Sequence, residues 1–428
     1  MSVSRFIYSV VYILAIPLIV SRLVWRAKTN SDYLDCLHQR FALGLPAIDD
    51  RRPLWIHAVS VGEAQAAVPL ARELMSCYPQ HPILFTTTTP TGRDRIRQEF
   101  ADSVVHCYMP YDLPWIVARF VKHFRPVALV VMETELWPNL FAQCEEQSVS
   151  IILANVRLSA QSTSGYRRIS SLCQEMLGRV QVAAAQSQAD ASRLLSLGME
   201  PNLIRVTGSV KFDLNLPASL REQAQVLRRD LGIERSIIIA ASTHDGEDEQ
   251  VLQAFSRLLQ EMPRCLLVLV PRHPERFADA AALCRKRGFS TALRSRTPTD
   301  FSTVDVYVGD SMGELPLLYA ASDIAFVGGS LVPTGGHNML EPAALGLPVL
   351  FGPHVFNFPD ISRMLLEVGA AWQVEDARSL GEQAHALLKD ANLRHNAGDA
   401  GRQFVRSNRG ALARLMSLID EQVPATNV

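Results

Sequence analysis

Three stretches in the first half of the chain carry charged side chains of a type that could do chemistry. These side chains are Glu63 in Ser60-Val61-Gly62-Glu63, Glu133 in Glu133-Thr134-Glu135-Leu136-Trp137-Pro138-Asn139, and Lys211 in Thr207-Gly208-Ser209-Val210-Lys211-Phe212-Asp213. The first two follow apolar runs that read as buried strands, the position where open α/β sheets keep their binding residues. A carboxylate there can accept the proton of an attacking hydroxyl, and an ammonium group at a domain junction could reach across a cleft. Glu63 has a plainer use as well, because it stands at the start of a helix-like stretch, where a negative charge meets the helix dipole favourably. Two carboxylates, a Trp and an Asn in one strand-end loop are unusual if the loop is only structural.

The second half is loaded for anions. In Gly328 to Gly352, GGSLVPTGGHNMLEPAALGLPVLFG, Gly335 and Gly336 permit positive-φ backbone, and His337, Asn338 and Glu341 sit at the start of a helix running through Ala343, Ala344 and Leu345. Free amides at a helix N-terminus suit a phosphate, and a carboxylate in the first turn suits ribose hydroxyls; an ordinary βα loop is the alternative. Pro271-Arg272-His273-Pro274-Glu275-Arg276 and Gly309-Asp310-Ser311-Met312-Gly313-Glu314-Leu315 also follow apolar runs. The acidic run after Ser242-Thr243-His244, Asp245 to Glu249, reads as first-turn stabilisation of a helix, since no ligand spacing supports a metal. Arg93 in TTTPTGRDR could hold an anion or belong to a helix start. Arg157, Tyr166, Arg167 and Arg168 are a solvated face or a seat for an acidic acceptor.

Short apolar runs alternating with helix-like segments must position these groups: LWIHAV from Leu54, ILFTTT at 83–88, VALVVM at 127–132, SIILANV at 150–156 and VQVAAAQ at 180–186. After a polar stretch the rhythm resumes with SIIIAAS at 236–242, CLLVLVP at 265–271, VDVYVG at 304–309, DIAFVG at 323–328 and PVLFG at 348–352. This is the βαβ pattern of two doubly wound, Rossmann-like domains. The expected bounds are an anchor at 1–28, a first domain at 29–212, a linker at 213–235 and a second domain at 236–428. Phe6 to Val20 is apolar, shorter than the roughly 20 residues of a comfortable span, and followed by Arg22, Arg26 and Lys28. Without a small-residue cleavage site it reads as an uncleaved anchor, with the positive flank placing the body in the cytoplasm; a buried first helix is the alternative. A formal charge of -1 gives no basic field for nucleic acid, and 7 scattered cysteines without a CxxC pair argue against a disulfide framework or a zinc site.

Taken together, SVGE, TPTGRDR, METELWPN, TGSVKFD, VPRHPERF, GDSMGEL and GGHNMLEP closely resemble the bacterial 3-deoxy-D-manno-octulosonic acid (Kdo) transferases of lipopolysaccharide synthesis, over nearly the whole chain. The resemblance implies an α/β glycosyltransferase-B fold, CMP-Kdo as donor, a lipid A precursor as acceptor and the cytoplasmic face of the inner membrane as location. It implies that Glu63 is the general base, that Glu133 and Lys211 stabilise the transition state, and that Pro271, Arg272, Met312, Gly313, Glu314, Asn338, Met339, Leu340 and Glu341 bind CMP. It implies no cofactor and no metal, which suits a donor whose leaving group carries a single phosphate. Two other readings stay open: a UDP-sugar-dependent lipid glycosyltransferase of the same fold, and a sugar-nucleotide-binding or membrane scaffold protein that has lost catalysis.

Overall fold

In the computed structural model, residues 1–28, 31–48, 50–296 and 300–423 are described. The chain forms two compact units, Met1–Asp213 with Arg409–Val428, and Leu214–Asn408. Each is built on a parallel sheet of 7 strands. In the first unit these are β1 Leu54–His57, β2 Ile83–Thr87, β3 Val105–Tyr108, β4 Ala128–Met132, β5 Ser150–Val156, β6 Val182–Ala185 and β7 Ile204–Val206. In the second they are β8 Ile237–Thr243, β9 Leu266–Pro271, β10 Thr291–Leu293, β11 Val306–Val308, β12 Ile324–Val327, β13 Val349–Phe351 and β14 Ala371–Gln373. The orders are β3-β2-β1-β4-β5-β6-β7 and β10-β11-β9-β8-β12-β13-β14. Strand order therefore reverses between β1 and β4, and between β8 and β12.

The inner strands are continuous apolar runs because helices cover both faces of each sheet. Successive residues point to opposite faces: Trp55, Leu129 and Leu153 pack with Phe120 and Phe141, while Ile56, Val130 and Ile152 pack with Leu70 and, from the far end of the chain, Leu415. In the second unit Ile238, Leu267 and Phe326 face Phe255, and Ile239 and Val268 face Tyr307 and Tyr319.

The compact units depart from the bounds expected at both ends of the second domain. The Leu220–Leu231 helix lies in the expected linker, yet it buries Leu227 and Leu231 in the second unit's core. The Ala411–Asp420 helix belongs to the first unit. The Asp213 carboxylate accepts the Gly410 and Leu412 amides, each at 2.6 Å, and Arg414 Nε donates to the Thr207 carbonyl at 2.8 Å. Residue 29, where the first domain was expected to begin, and residues 424–428 lie outside the described residues.

The N-terminal helix, Val3–Ala27, extends beyond the apolar run at both ends and is long and apolar enough to cross a membrane, with a mean hydropathy of 2.1 over its most apolar window. One stripe is docked: Arg5 and Ser9 are buried, and Tyr8, Tyr12, Ile16, Ile19 and Val20 pack on the first core. The other face exposes Phe6, Ile7, Val11, Leu14 and Leu18. One of the helix's polar contacts, at Ser9, leads through Asn139 to the Asp112 carboxylate. That carboxylate accepts the Asn139 amide at 3.0 Å and the Leu140 amide at 2.7 Å, and so caps the Pro138–Glu146 helix, whose N-cap position, Trp137, makes no side-chain cap bond. Asn139 Nδ2 in turn donates to Ser9 Oγ at 3.0 Å. Burial pushes the Asp112 carboxyl up to about 6, against the pull of the two amides. Asp112→Ala should strand both amides in the interior and cost about 2–5 kcal/mol, read as a lower melting temperature by calorimetry.

Candidate functional site

In the first unit the chemical groups gather where strand order reverses. Ser60 ends the loop after β1 in extended backbone, and its Oγ accepts the Glu63 amide at 3.3 Å, starting the Val61–Cys77 helix. Glu63 folds back on the same loop: Oε1 accepts the Ser60 hydroxyl at 2.8 Å and Oε2 accepts the Val59 amide at 2.8 Å. The capping use expected of Glu63 is therefore present. Burial raises its carboxyl above the usual range, with Glu133 adding repulsion and the Val59 and Ser60 contacts opposing both.

Glu133 follows β4 with φ 56°, in the left-handed region, a conformation that costs a non-glycine residue of order 1 kcal/mol or more. Its Oε1 meets Lys211 Nζ at 3.4 Å. Lys211 sits in the Val210–Phe212 turn, which is fixed by the Val210 amide donating to Asn155 Oδ1 at 3.1 Å. Asn155, near the end of β5, also has positive φ, and it falls at a register shift against β6. Glu135 is pushed up to about 7 by burial, then by Glu63 and Glu133. The structure thus brings Glu63, Glu133 and Lys211 together and adds Glu135. Arg93, by contrast, is buried against Asp35 at 3.3 Å and Asp94 at 3.2 Å, while Thr89 caps the helix it belongs to.

In the second unit the loops after β8 and β12 meet over one carboxylate. Glu247 is fully buried, and it accepts amides from His244 at 2.9 Å, Gly329 at 2.6 Å, Ser330 at 2.9 Å and Leu331 at 2.8 Å. The acidic run does open the Glu247–Glu261 helix, but this carboxylate serves the neighbouring loop, which the sequence reading missed. Asp248 is buried as well and pairs with Arg276. The close approach of the loops needs Gly328, since a Cβ there would lie 2.6 Å from the Ser242 carbonyl oxygen. Gly335 and Gly336 have positive φ as expected.

The helix after them begins later than expected, at Leu340, which leaves His337 and Asn338 in the loop. Asn338 Oδ1 accepts the Leu340 amide at 3.0 Å and its Nδ2 donates to Glu341 Oε1 at 3.0 Å; burial raises the Glu341 carboxyl. Met339 and Leu340 bury their side chains completely, so only their backbone can face a ligand. Pro271 ends β9, and the Arg272 amide donates to the Thr243 carbonyl at 3.0 Å, with an exposed side chain. Met312 is exposed, Gly313 has φ 82°, and Glu314 is held by Arg294 at 2.7 Å, which keeps its carboxyl low. His244 Nε2 and His337 Nε2 approach to 2.8 Å. Among the described residues no three of His, Cys, Asp and Glu are grouped to hold a metal ion.

Residues 35–214 match the family model described as 3-Deoxy-D-manno-octulosonic-acid transferase (kdotransferase). The chain is 43% identical over 417 residues to the 3-deoxy-D-manno-octulosonic acid transferase of Haemophilus influenzae, covering 97% of this chain and 98% of that one. It is 36% identical to the enzyme of the same name from Bordetella pertussis, over 86% and 87% of the two chains. Among solved structures, the UDP-GlcNAc 2-epimerase of Neisseria meningitidis bound to UDP-GlcNAc superposes with a TM-score of 0.56 at 14% identity, covering 86% of this chain and 100% of that one. That likeness shows the fold alone, two Rossmann-like units of the glycosyltransferase-B kind.

Glu247→Gln puts an amide group where an oxygen now faces backbone N–H groups. The expected loss is about 2–5 kcal/mol, with faster hydrogen exchange at residues 329–331 and unchanged exchange in β1 to β7.

Proposed function

The chain belongs to the Kdo transferase family and is a Kdo-transferring glycosyltransferase, and from that premise we propose that it moves Kdo from CMP-Kdo to the lipid A precursor lipid IVA by direct displacement. The observation that carries the mechanism is the setting of Glu63: a carboxylate held by one amide and one hydroxyl, partly withdrawn from water, and crowded by Glu133. Each of these features except the two hydrogen bonds raises its appetite for a proton.

In the proposed reaction an acceptor hydroxyl oxygen attacks the anomeric carbon of Kdo while Glu63 takes its proton. The bond from that carbon to the phosphate oxygen breaks, and CMP leaves with the electron pair. Glu133 and Lys211 offer charge of both signs to the oxocarbenium-like transition state. Pro271, Arg272, Met312 to Glu314 and Asn338 to Glu341 hold CMP, with Met339 and Leu340 contributing backbone only. No metal takes part. The Val3–Ala27 helix attaches the protein to the inner membrane, with both units on the cytoplasmic side where the acceptor is made. Purified protein supplied with CMP-Kdo and lipid IVA, its lipid product weighed by mass spectrometry, tests the proposal as a whole. A thermal shift with UDP in place of CMP would favour the UDP-sugar reading.

Glu63→Gln retains an acceptor for the Val59 amide and a donor for Ser60 Oγ, so the loop stays formed. As the base, Gln cannot take the proton, and kcat should fall by roughly 10² to 10⁴ with little change in melting temperature. Near-normal turnover in a slightly less stable variant would leave Glu63 with capping alone. Arg272→Ala should raise the donor KM or slow CMP departure by about 10- to 100-fold, through loss of a charge-assisted contact; unchanged steady-state kinetics would place the guanidinium outside the donor site.

A further inference from the structure

Three imidazoles stand at the carboxyl ends of the second sheet: His244 after β8, His273 after β9 and His337 in the glycine loop after β12. The His244 and His337 rings are parallel within 5° with centroids 5.0 Å apart, and His273 meets His244 edge-on at 5.4 Å. Two ring nitrogens 2.8 Å apart share one hydrogen, so one ring donates from Nε2 and the other accepts there. In a neutral pair the accepting ring must carry its own proton on Nδ1. Among the described residues neither Nδ1 has a hydrogen-bond partner. One N–H donor at this position is therefore left for an acceptor from outside, and the second ring's Nδ1 lone pair can take a further proton to become another.

We propose that the His244–His337 pair is an anion site, which receives the phosphate of the donor's nucleotide and takes up a proton as that phosphate binds. The inference rests on the donor reading above. The groups facing the pair are Glu247, His273, Arg272 and Arg276. Burial draws His337 down to about 4 and also lowers His244, with the neighbouring imidazoles and arginines adding to burial and Glu247 opposing it at His244. The empty pair is neutral near pH 7. A phosphate offsets the arginine charge and makes a cationic pair favourable. As the glycosidic bond breaks, the phosphate changes from a monoanion to a dianion, so the contact strengthens along the reaction.

The test is calorimetric titration of the full-length protein with CMP at pH 7.5, in two buffers of different ionisation enthalpy. At that pH the phosphate of CMP, with a second pKa of about 6, is already largely dianionic, so protons taken up belong to the protein. The expected result is uptake of a fraction of a proton with CMP and none with cytidine. In His337→Gln and His244→Gln the uptake is lost, and CMP affinity falls about 10- to 100-fold while cytidine affinity holds. CMP binding by the wild-type protein without proton uptake, or the same preference for CMP over cytidine in both variants, overturns the inference and leaves the donor reading standing. A protein that binds neither CMP nor cytidine overturns both.

Discussion

The second unit's loops after β8 and β12 depend on one buried carboxylate satisfying four backbone amides. Glu247 reaches from the first turn of its helix to Gly329, Ser330 and Leu331, and it also closes its own loop at His244. Backbone N–H groups just beyond a parallel strand have left the ladder, and burying them without acceptors costs about as much as the loop could gain by packing. A carboxylate resolves this with few rotatable bonds and stronger, charge-assisted contacts. Asp112 does the same for the Pro138–Glu146 helix, Asp213 for the returning C-terminal segment, and Asp323 for the Ile237 amide at the start of β8. Loops fixed in this way hold their side chains in one place before any ligand arrives, which is what transition-state binding requires.

How much of this could be read from the sequence follows the same physics. The ten inner strands are apolar runs because both their faces are covered, and all ten were visible. The four that escaped, β3, β7, β10 and β14, are the two edges of each sheet. Their residues, such as Val105-His106-Cys107-Tyr108 and Ile204-Arg205-Val206, mix polarity because one side is half exposed. The C-terminal helix could not be assigned either. Its place is set by Asp213 across 197 residues, a contact that leaves no local periodicity.

The site divided along similar lines. Glu63, Glu133 and Arg272 stood out because each follows an apolar run in a loop of unusual composition, and Lys211 because it falls at the expected domain junction. Glu247 did not, since an acid in a helix's first turn already has a sufficient explanation. The meeting of His244 and His337 was equally hidden, because it joins loops 93 residues apart. Glu135 was visible only as one of two carboxylates in a motif, and its shift arises from burial beside Glu63 and Glu133.

The two units place opposite electrostatics at equivalent points of the same topology. At the β1/β4 reversal three carboxylates are set against one lysine, and burial with mutual repulsion raises Glu63 and carries Glu135 to about 7. At the β8/β12 reversal imidazoles lie beside Arg272 and Arg276, and burial with like charge lowers His244 and carries His337 to about 4. Raised carboxylates hold their protons to higher pH, and lowered imidazoles shed theirs at lower pH. In the reaction proposed above, the raised carboxylates of the first site take the proton, and the lowered imidazoles of the second stay uncharged until the phosphate binds. Displacement of a nucleotide by a hydroxyl needs those two capacities, a proton taken from the nucleophile and negative charge met at the leaving group. Neither arrangement would supply both. An acidic site would repel the departing phosphate, and a cationic one would depress the pKa of the base. Keeping the two sets on separate sheets lets each be tuned by burial without undoing the other.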